Sequence, residues 1–233
     1  MDTVKDSKQT ATQKILAVDV GGTNVKVKSS TGDEVRKTPS GSEMTAEQMV
    51  AAVKEMTQDW DFDAVSIGYP GVVVHGKIAR EPNNLGPGWT AFDFAEALGK
   101  PVKLINDAAM QAMGSYDGGR MLFLGLGTGF GSVLIVNGEV QPLELAHLPY
   151  RKGRTYEDFA GGKGRERLGK KRWRKAVRRI IEELTAALQP DYVVIGGGEA
   201  KKLGDLPINC RLGANADAFD GGFRMWTDDA AGI

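Results

Sequence analysis

The chain has 233 residues, enough for one large or two modest domains with a buried core. Thirty basic and thirty acidic residues cancel to a formal charge of zero, so global charge points to no polyanionic or polycationic partner. A single cysteine, Cys210, excludes an internal disulfide and suits a reducing, cytoplasmic setting, and no run of about 18 apolar residues is present to span a membrane.

The first stretch, MDTVKDSKQTATQ, is polar and lacks the apolar segment of a signal peptide, so residues 1–13 are predicted to be a disordered tail. ILAVDVGGTNVKV (15–27) follows: an apolar run to Val20, then Gly21-Gly22-Thr23, then a second alternating run. That pattern predicts strand, tight glycine turn, strand. Asp19 lies inside the otherwise apolar first strand, and a buried carboxylate needs a cation or hydrogen-bond donors. Glycines let a backbone come close to an anion and present its N–H groups. The stretch therefore reads as a phosphate cradle, with Gly21, Gly22, Thr23, Asn24 and Lys26 on the hairpin and Asp19 placed for a metal. The competing reading is a hairpin whose Asp19 caps its own turn and whose Lys26 is solvated.

The design returns 106 residues later. MLFLGLGTGFGSVLIVNGEV (121–140) overlays the first hairpin with Gly21 on Gly127 and Gly32 on Gly138. A repeat of this kind constrains the whole fold. Two such turns, the second at Gly127, Thr128 and Gly129, facing each other across a cleft would make a nucleotide or polyphosphate site. A P-loop is excluded, because GxxxxGK[ST] is absent and the glycines lead into a strand.

Between the hairpins, Thr45-Ala-Glu-Gln48 has the form of a capping box, and Met49, Val50, Val53 and Met56 share a helical face. AVSIGY (64–69) reads as a buried strand, and 72–74 begins an extended stretch with His75 as a surface strand residue. Residues 80–89 read as a loop, Thr90 as the cap of a short helix closed by Gly99, and PVKLI (101–105) as a strand. Asn106-Asp107 ends that strand and opens a helix. Residues 151–179 carry 13 Lys or Arg against three acids, and the helical pattern is clear from Arg174 to Pro190. A solvated face, a nucleic-acid contact and a track for a long polyanion all fit this stretch; its sparse aromatics argue against base stacking. YVVIGGG (192–198) is strand, then glycine turn, and Phe219, Phe223 and Trp226 are expected to pack the C-terminus onto the body.

DVGGTNVK (19–26), GLGTGFGS (125–132) and VVIGGGEAKKL (193–203) resemble the two phosphate motifs and the adenosine motif of the sugar-kinase, heat-shock-70 and actin superfamily. GYPGVV (68–73), INDAAM (105–110) and ELAH (144–147) resemble the ROK family of sugar kinases, and within it the polyphosphate glucokinase-like branch. The resemblance spans about residues 15 to 203. It implies an α/β fold of two actin-like (RNase-H-like) lobes with mixed sheets around a central cleft. The lobes would run over 14–118 and 119–233, with the tail returning to the first.

The same resemblance implies a phosphotransferase acting on the 6-hydroxyl of glucose, with Mg²⁺ and either polyphosphate or ATP as donor. Asp107 stands on the family's catalytic aspartate, although by itself an Asp at a helix start reads first as a cap. Asn84, Asn106, Asp107, Glu144 and His147 match hexose-binding positions, and Gly196, Gly197 and Gly198 would admit an adenosine. Ala146 replaces the family's usual glycine, and its Cys-rich zinc motif is missing, so no zinc is expected. The family's further sugar-binding Glu has no secure counterpart, with Glu157 as a guess. A homodimer and no nucleic-acid partner are implied. The alternatives are a kinase for fructose, mannose or an N-acetyl sugar, and a non-catalytic sugar-binding regulator.

Overall fold

The computed structural model describes residues 13–214 and 216–227; the tail expected over 1–13 falls almost wholly outside them. The first half holds β1 (Ile15–Val20), β2 (Asn24–Ser29), β3 (Val35–Pro39), α1 (Ala46–Met56), β4 (Ala64–Tyr69), a small hairpin of β5 (Val73–Val74) and β6 (Lys77–Ile78), α2 (Phe94–Leu98) and β7 (Val102–Asn106). The connecting helix α3 (Asp107–Gly114) leads to β8 (Arg120–Leu126), β9 (Phe130–Val136) and β10 (Glu139–Leu143). Then come β11 (Pro149–Arg151), β12 (Arg154–Thr155), α4 (Glu157–Ala160), α5 (Gly162–Leu168), α6 (Lys170–Leu188), β13 (Tyr192–Gly196), β14 (Cys210–Leu212) and α7 (Asp217–Arg224).

Two five-stranded sheets repeat one plan. Their orders are β3-β2-β1-β4-β7 and β10-β9-β8-β13-β14. In each, an antiparallel three-strand meander is extended by two parallel strands. The duplicated hairpins are β1–β2 and β8–β9, at equivalent places in their sheets. The protein is thus a mixed α/β fold of two actin-like lobes.

Alternation along the strands divides the apolar residues between layers. Leu16, Val18 and Val20 of β1 pack outward with α1 and Trp89, while Leu122, Leu124 and Leu126 of β8 pack outward on α6. The opposite face of β8, with Met121 and Phe123, packs onto α3 and α7, and Ala17 of β1 abuts Gly222 of α7. Helices α3 and α7 therefore lie between the sheets, and Asp19, on the Ala17 face of β1, points toward that layer.

Small details follow local chemistry. Thr45 caps α1 with the full reciprocal box to Gln48. Thr45→Ala should cost about 1 kcal/mol, read as a lowered urea midpoint at unchanged slope. The cap of α2 is Asp93 rather than Thr90, because the Thr90 side chain is held by Glu81. Helix α6 starts at Lys170, earlier than the apolar pattern suggests. Its cationic first turn opposes the helix dipole, but Trp173 is buried there and donates Nε1–H to the Ala160 carbonyl at 2.9 Å. His75 sits in the β5–β6 turn with φ of 49°, not in a strand. Trp226 donates to Ser66 Oγ at 2.8 Å, and Phe219 is buried, so the C-terminal segment is tied to the first sheet. Among the described residues, no helix is long and apolar enough to cross a membrane.

Candidate active site

The first glycine turn, Gly21–Thr23, joins β1 to β2. Gly21 donates its N–H to Asn24 O at 3.0 Å, and Ser40 holds the turn from outside, through Oγ to Gly21 O at 2.7 Å and N–H to Thr23 O at 3.0 Å. Among the described residues, the Gly22 and Thr23 N–H groups donate to no backbone carbonyl. Asp19 and Lys26 are register partners across the hairpin, and Lys26 Nζ donates to Asp19 Oδ2 at 2.9 Å. The acid that looked costly in sequence is therefore paired.

The second turn, Gly127–Gly129, is closed by Gly127 N–H to Gly129 O at 3.1 Å. Its carbonyls are engaged from behind, since Gly162 N–H reaches Gly127 O at 2.9 Å and Thr128 O at 3.2 Å. Glu157 Oε2 accepts the Phe130 N–H at 3.0 Å. Gly125 occupies the position that Asp19 holds in the first copy, so only one cradle carries an acid. The third glycine turn docks on the same strand end. Glu199 N–H reaches Leu126 O at 2.8 Å, and Gly197 has φ of 84°. A Cβ on Gly197 would stand 2.3 Å from Leu126 O, whereas Gly196 meets Phe123 and Gly198 faces open space.

Asn106 and Asp107 divide the work at the start of α3. Asn106 is the cap: its Oδ1 accepts the Ala109 N–H at 3.1 Å, and its Nδ2 donates to Gly71 O at 3.0 Å. Asp107 is the first helical residue, with Oδ1 on the Ala108 N–H at 2.8 Å, so its other oxygen is not spent on capping. A Cβ on Gly68, the register partner of Asp19, would lie 3.4 Å from Asp107 Cα, which sets the two acids side by side. Burial pushes the Asp107 carboxyl from 3.8 up to about 7, and the charges of Asp19 and Glu144 push the same way. Glu144 and His147 flank the short helical turn after β10, with Oε2 and Nε2 3.7 Å apart and both side chains exposed. Asn84 lies against the first turn, where a Cβ on Gly22 would be 3.4 Å from Asn84 Cβ.

The folding thus sets Asn84 against the first glycine turn, Asp107 beside Gly68 and so near Asp19, and the next residue, Ala108, against Gly131 of the second hairpin, while Glu144 and His147 pair with each other on the exposed turn after β10. Ser40, Gly161 and Gly162 support those turns and were not foreseen, because none belongs to a recognisable motif. Mg²⁺ keeps most of its shell as water and phosphate oxygens and needs only one or two carboxylates. Asp19 meets that condition; among the described residues, no group of three or more His, Cys, Asp or Glu could hold a metal alone.

Residues 15–142 match the model of the ROK family. The chain belongs to the ROK family. Among relatives of this ROK chain, the polyphosphate glucokinase of Mycobacterium leprae (strain TN) is 29% identical over 217 residues, covering 83% of this chain and 66% of that protein. The polyphosphate glucokinase of Mycobacterium tuberculosis (strain ATCC 25618 / H37Rv) is 31% identical over 153 residues, 59% of this chain and 57% of that protein. The ROK chain thus spans about two thirds or less of the length of these curated relatives. The inorganic polyphosphate/ATP-glucomannokinase structure from Arthrobacter sp. strain KM superposes with a TM-score of 0.79 at 24% identity, covering 95% of this chain and all of that one, which establishes the shared fold.

Proposed function

We propose that this ROK protein transfers a phosphoryl group to the 6-hydroxyl of a hexose, glucose first, with Asp107 as general base. The observation that carries the reading is Asp107 itself: a carboxylate at the mouth of α3, between two glycine turns, whose proton affinity lies near neutral pH. A base poised near the working pH is what proton removal from a hydroxyl requires. Phosphoryl transfer otherwise asks mainly for positioning and charge neutralisation. The free N–H groups of the turns meet the donor phosphates, and Asn84, Asn106, Glu144 and His147 pair the sugar hydroxyls. Asp19 would hold Mg²⁺, which neutralises charge on those phosphates when bound. Closure of the lobes on the sugar excludes water, the competing acceptor.

For the donor, the outer face of α6 supports polyphosphate. Arg151, Lys170, Lys171, Arg172, Arg174 and Lys175 line a groove of about 1350 Å³, where Glu182, Glu183 and Asp205 are the only acids among its lining residues. A linear polyanion needs charge without base recognition. ATP is favoured instead by the open space beside Gly198. Glucose 6-phosphate formation, followed in parallel with ATP and with polyphosphate in the presence of Mg²⁺, tests both. Paired Lys171→Glu and Lys175→Glu changes should raise KM for polyphosphate about tenfold at low salt and leave KM for ATP unchanged. Equal effects on both donors would remove the groove from the donor path, and no product with any hexose would overturn the kinase reading.

A further inference from the structure

Residues 81–90 form an irregular loop, yet it is pinned closely. Pro82, Leu85 and Gly86 are buried, and Trp89 is 1% exposed, packed between Tyr69 and Phe94 with ring centroids 5.5 and 6.1 Å away. Gly86 N–H reaches Met44 O at 3.0 Å, and a Cβ on Gly86 would stand 2.3 Å from Glu43 O. Tyr69 Oη donates to Arg80 O at 2.8 Å just before the loop. Asn83 and Asn84 are left exposed at its tip, with Asn84 against the first glycine turn.

One side chain closes the ring. Glu81 accepts the Trp89 N–H at 3.1 and 3.2 Å on its two oxygens, the Thr90 N–H at 3.1 Å and the Thr90 hydroxyl at 2.7 Å. Both ends of the loop are thereby tied to one carboxylate. Burial works to raise the Glu81 pKa, but the Thr90 hydroxyl and the Trp89 and Thr90 N–H groups outweigh it and hold the carboxylate below its ordinary range. Glu81 is itself exposed and lies in neither sheet, and it meets the first core only through the Trp89 backbone N–H. No charge partner explains it: Glu81 forms no ion pair among the described residues.

We infer that Glu81 is a positioning residue for sugar recognition, holding the 81–90 loop closed so that Asn84 is presented to the hexose beside the first glycine turn. This rests on the hexose-kinase reading above. A preorganised loop binds without the entropic cost of ordering, and freeing it transfers that cost to sugar binding. The effect falls on hexose affinity rather than on the phosphoryl step, because Asp107 and both glycine turns are anchored elsewhere.

The test compares Glu81→Ala and Glu81→Gln with wild type in glucose phosphorylation. Glu81→Ala should raise KM for glucose about tenfold, with kcat and donor KM within about twofold. Glu81→Gln keeps one acceptor oxygen and should recover part of the loss. Limited proteolysis of Glu81→Ala should cut within 82–88, where wild type resists. An active wild type whose glucose KM is unchanged by Glu81→Ala overturns this inference alone. A loss in kcat and donor KM together, with a large fall in melting temperature, also overturns it in favour of a purely structural role. Wild type that phosphorylates no hexose overturns both readings.

Discussion

Asp107→Asn is expected to lower kcat for hexose phosphorylation about a thousandfold, leave glucose KM within a few fold, and make the protein more stable than wild type at pH 8. The two effects have one source. The carboxyl of Asp107 holds its proton in the folded state up to about pH 7, whereas in the unfolded chain it loses it near 3.8. Between those values the native state binds more protons, so this group's contribution to stability falls as pH rises and stays low above 7. The penalty reaches on the order of 4 kcal/mol at most. The neutral amide of the variant escapes it, so urea unfolding should separate variant from wild type at pH 8 and bring them together near pH 4. In wild type, kcat/KM for glucose should rise with pH, reach half its plateau near pH 7 and level off about one unit above it, since only the ionised carboxylate accepts the hydroxyl proton. Near-wild-type turnover by Asp107→Asn would remove the general base from the mechanism.

Gly221→Ala is expected to destabilise the protein by about 3 kcal/mol or more, although it adds a single methyl group in a helix. Helices α3 and α7 cross in backbone contact between the sheets. A Cβ on Gly221 would stand 1.7 Å from Met110 O, and one on Gly114 would stand 1.8 Å from Asp217 O. Backbone cannot rotate away as a side chain can, so the helices must part. Parting them shifts the helix that begins at Asp107 and loosens the tie from Ser66 Oγ to Gly222 O, 2.5 Å long. Activity should fall with stability. Gly32, whose Cβ position is open, provides the control: Gly32→Ala should stay within about 0.5 kcal/mol of wild type in urea unfolding. Equal midpoints for the two variants would show that the crossing tolerates separation.

By itself the sequence determined what depends on neighbours along the chain. Strand alternation, glycine turns and the capping box at Thr45 are local patterns, so the two hairpins, their repeat and most elements were legible before any fold was known. Asp19 also stood out locally, as an acid in an apolar strand beside a glycine turn, whereas Asn84, Asn106, Asp107, Glu144 and His147 stood out only through the resemblance to ROK motifs; by themselves Asp107 reads first as a helix cap and Glu144 as part of a surface turn. Only the tertiary structure decided which neighbours those residues meet. Asn106 does the capping and leaves one Asp107 carboxylate oxygen unengaged, and Asp19 is paired by Lys26. Glu157 is turned toward the second glycine turn, an association made across 27 residues. The α3–α7 crossing was silent in sequence for a physical reason: close backbone approach is achieved by removing side chains, and Gly114, Gly221 and Gly222 carry no hydrophobic periodicity to read. Glu81 was silent as well, because its partners are mostly backbone N–H groups, which every residue but proline supplies and no residue letter records.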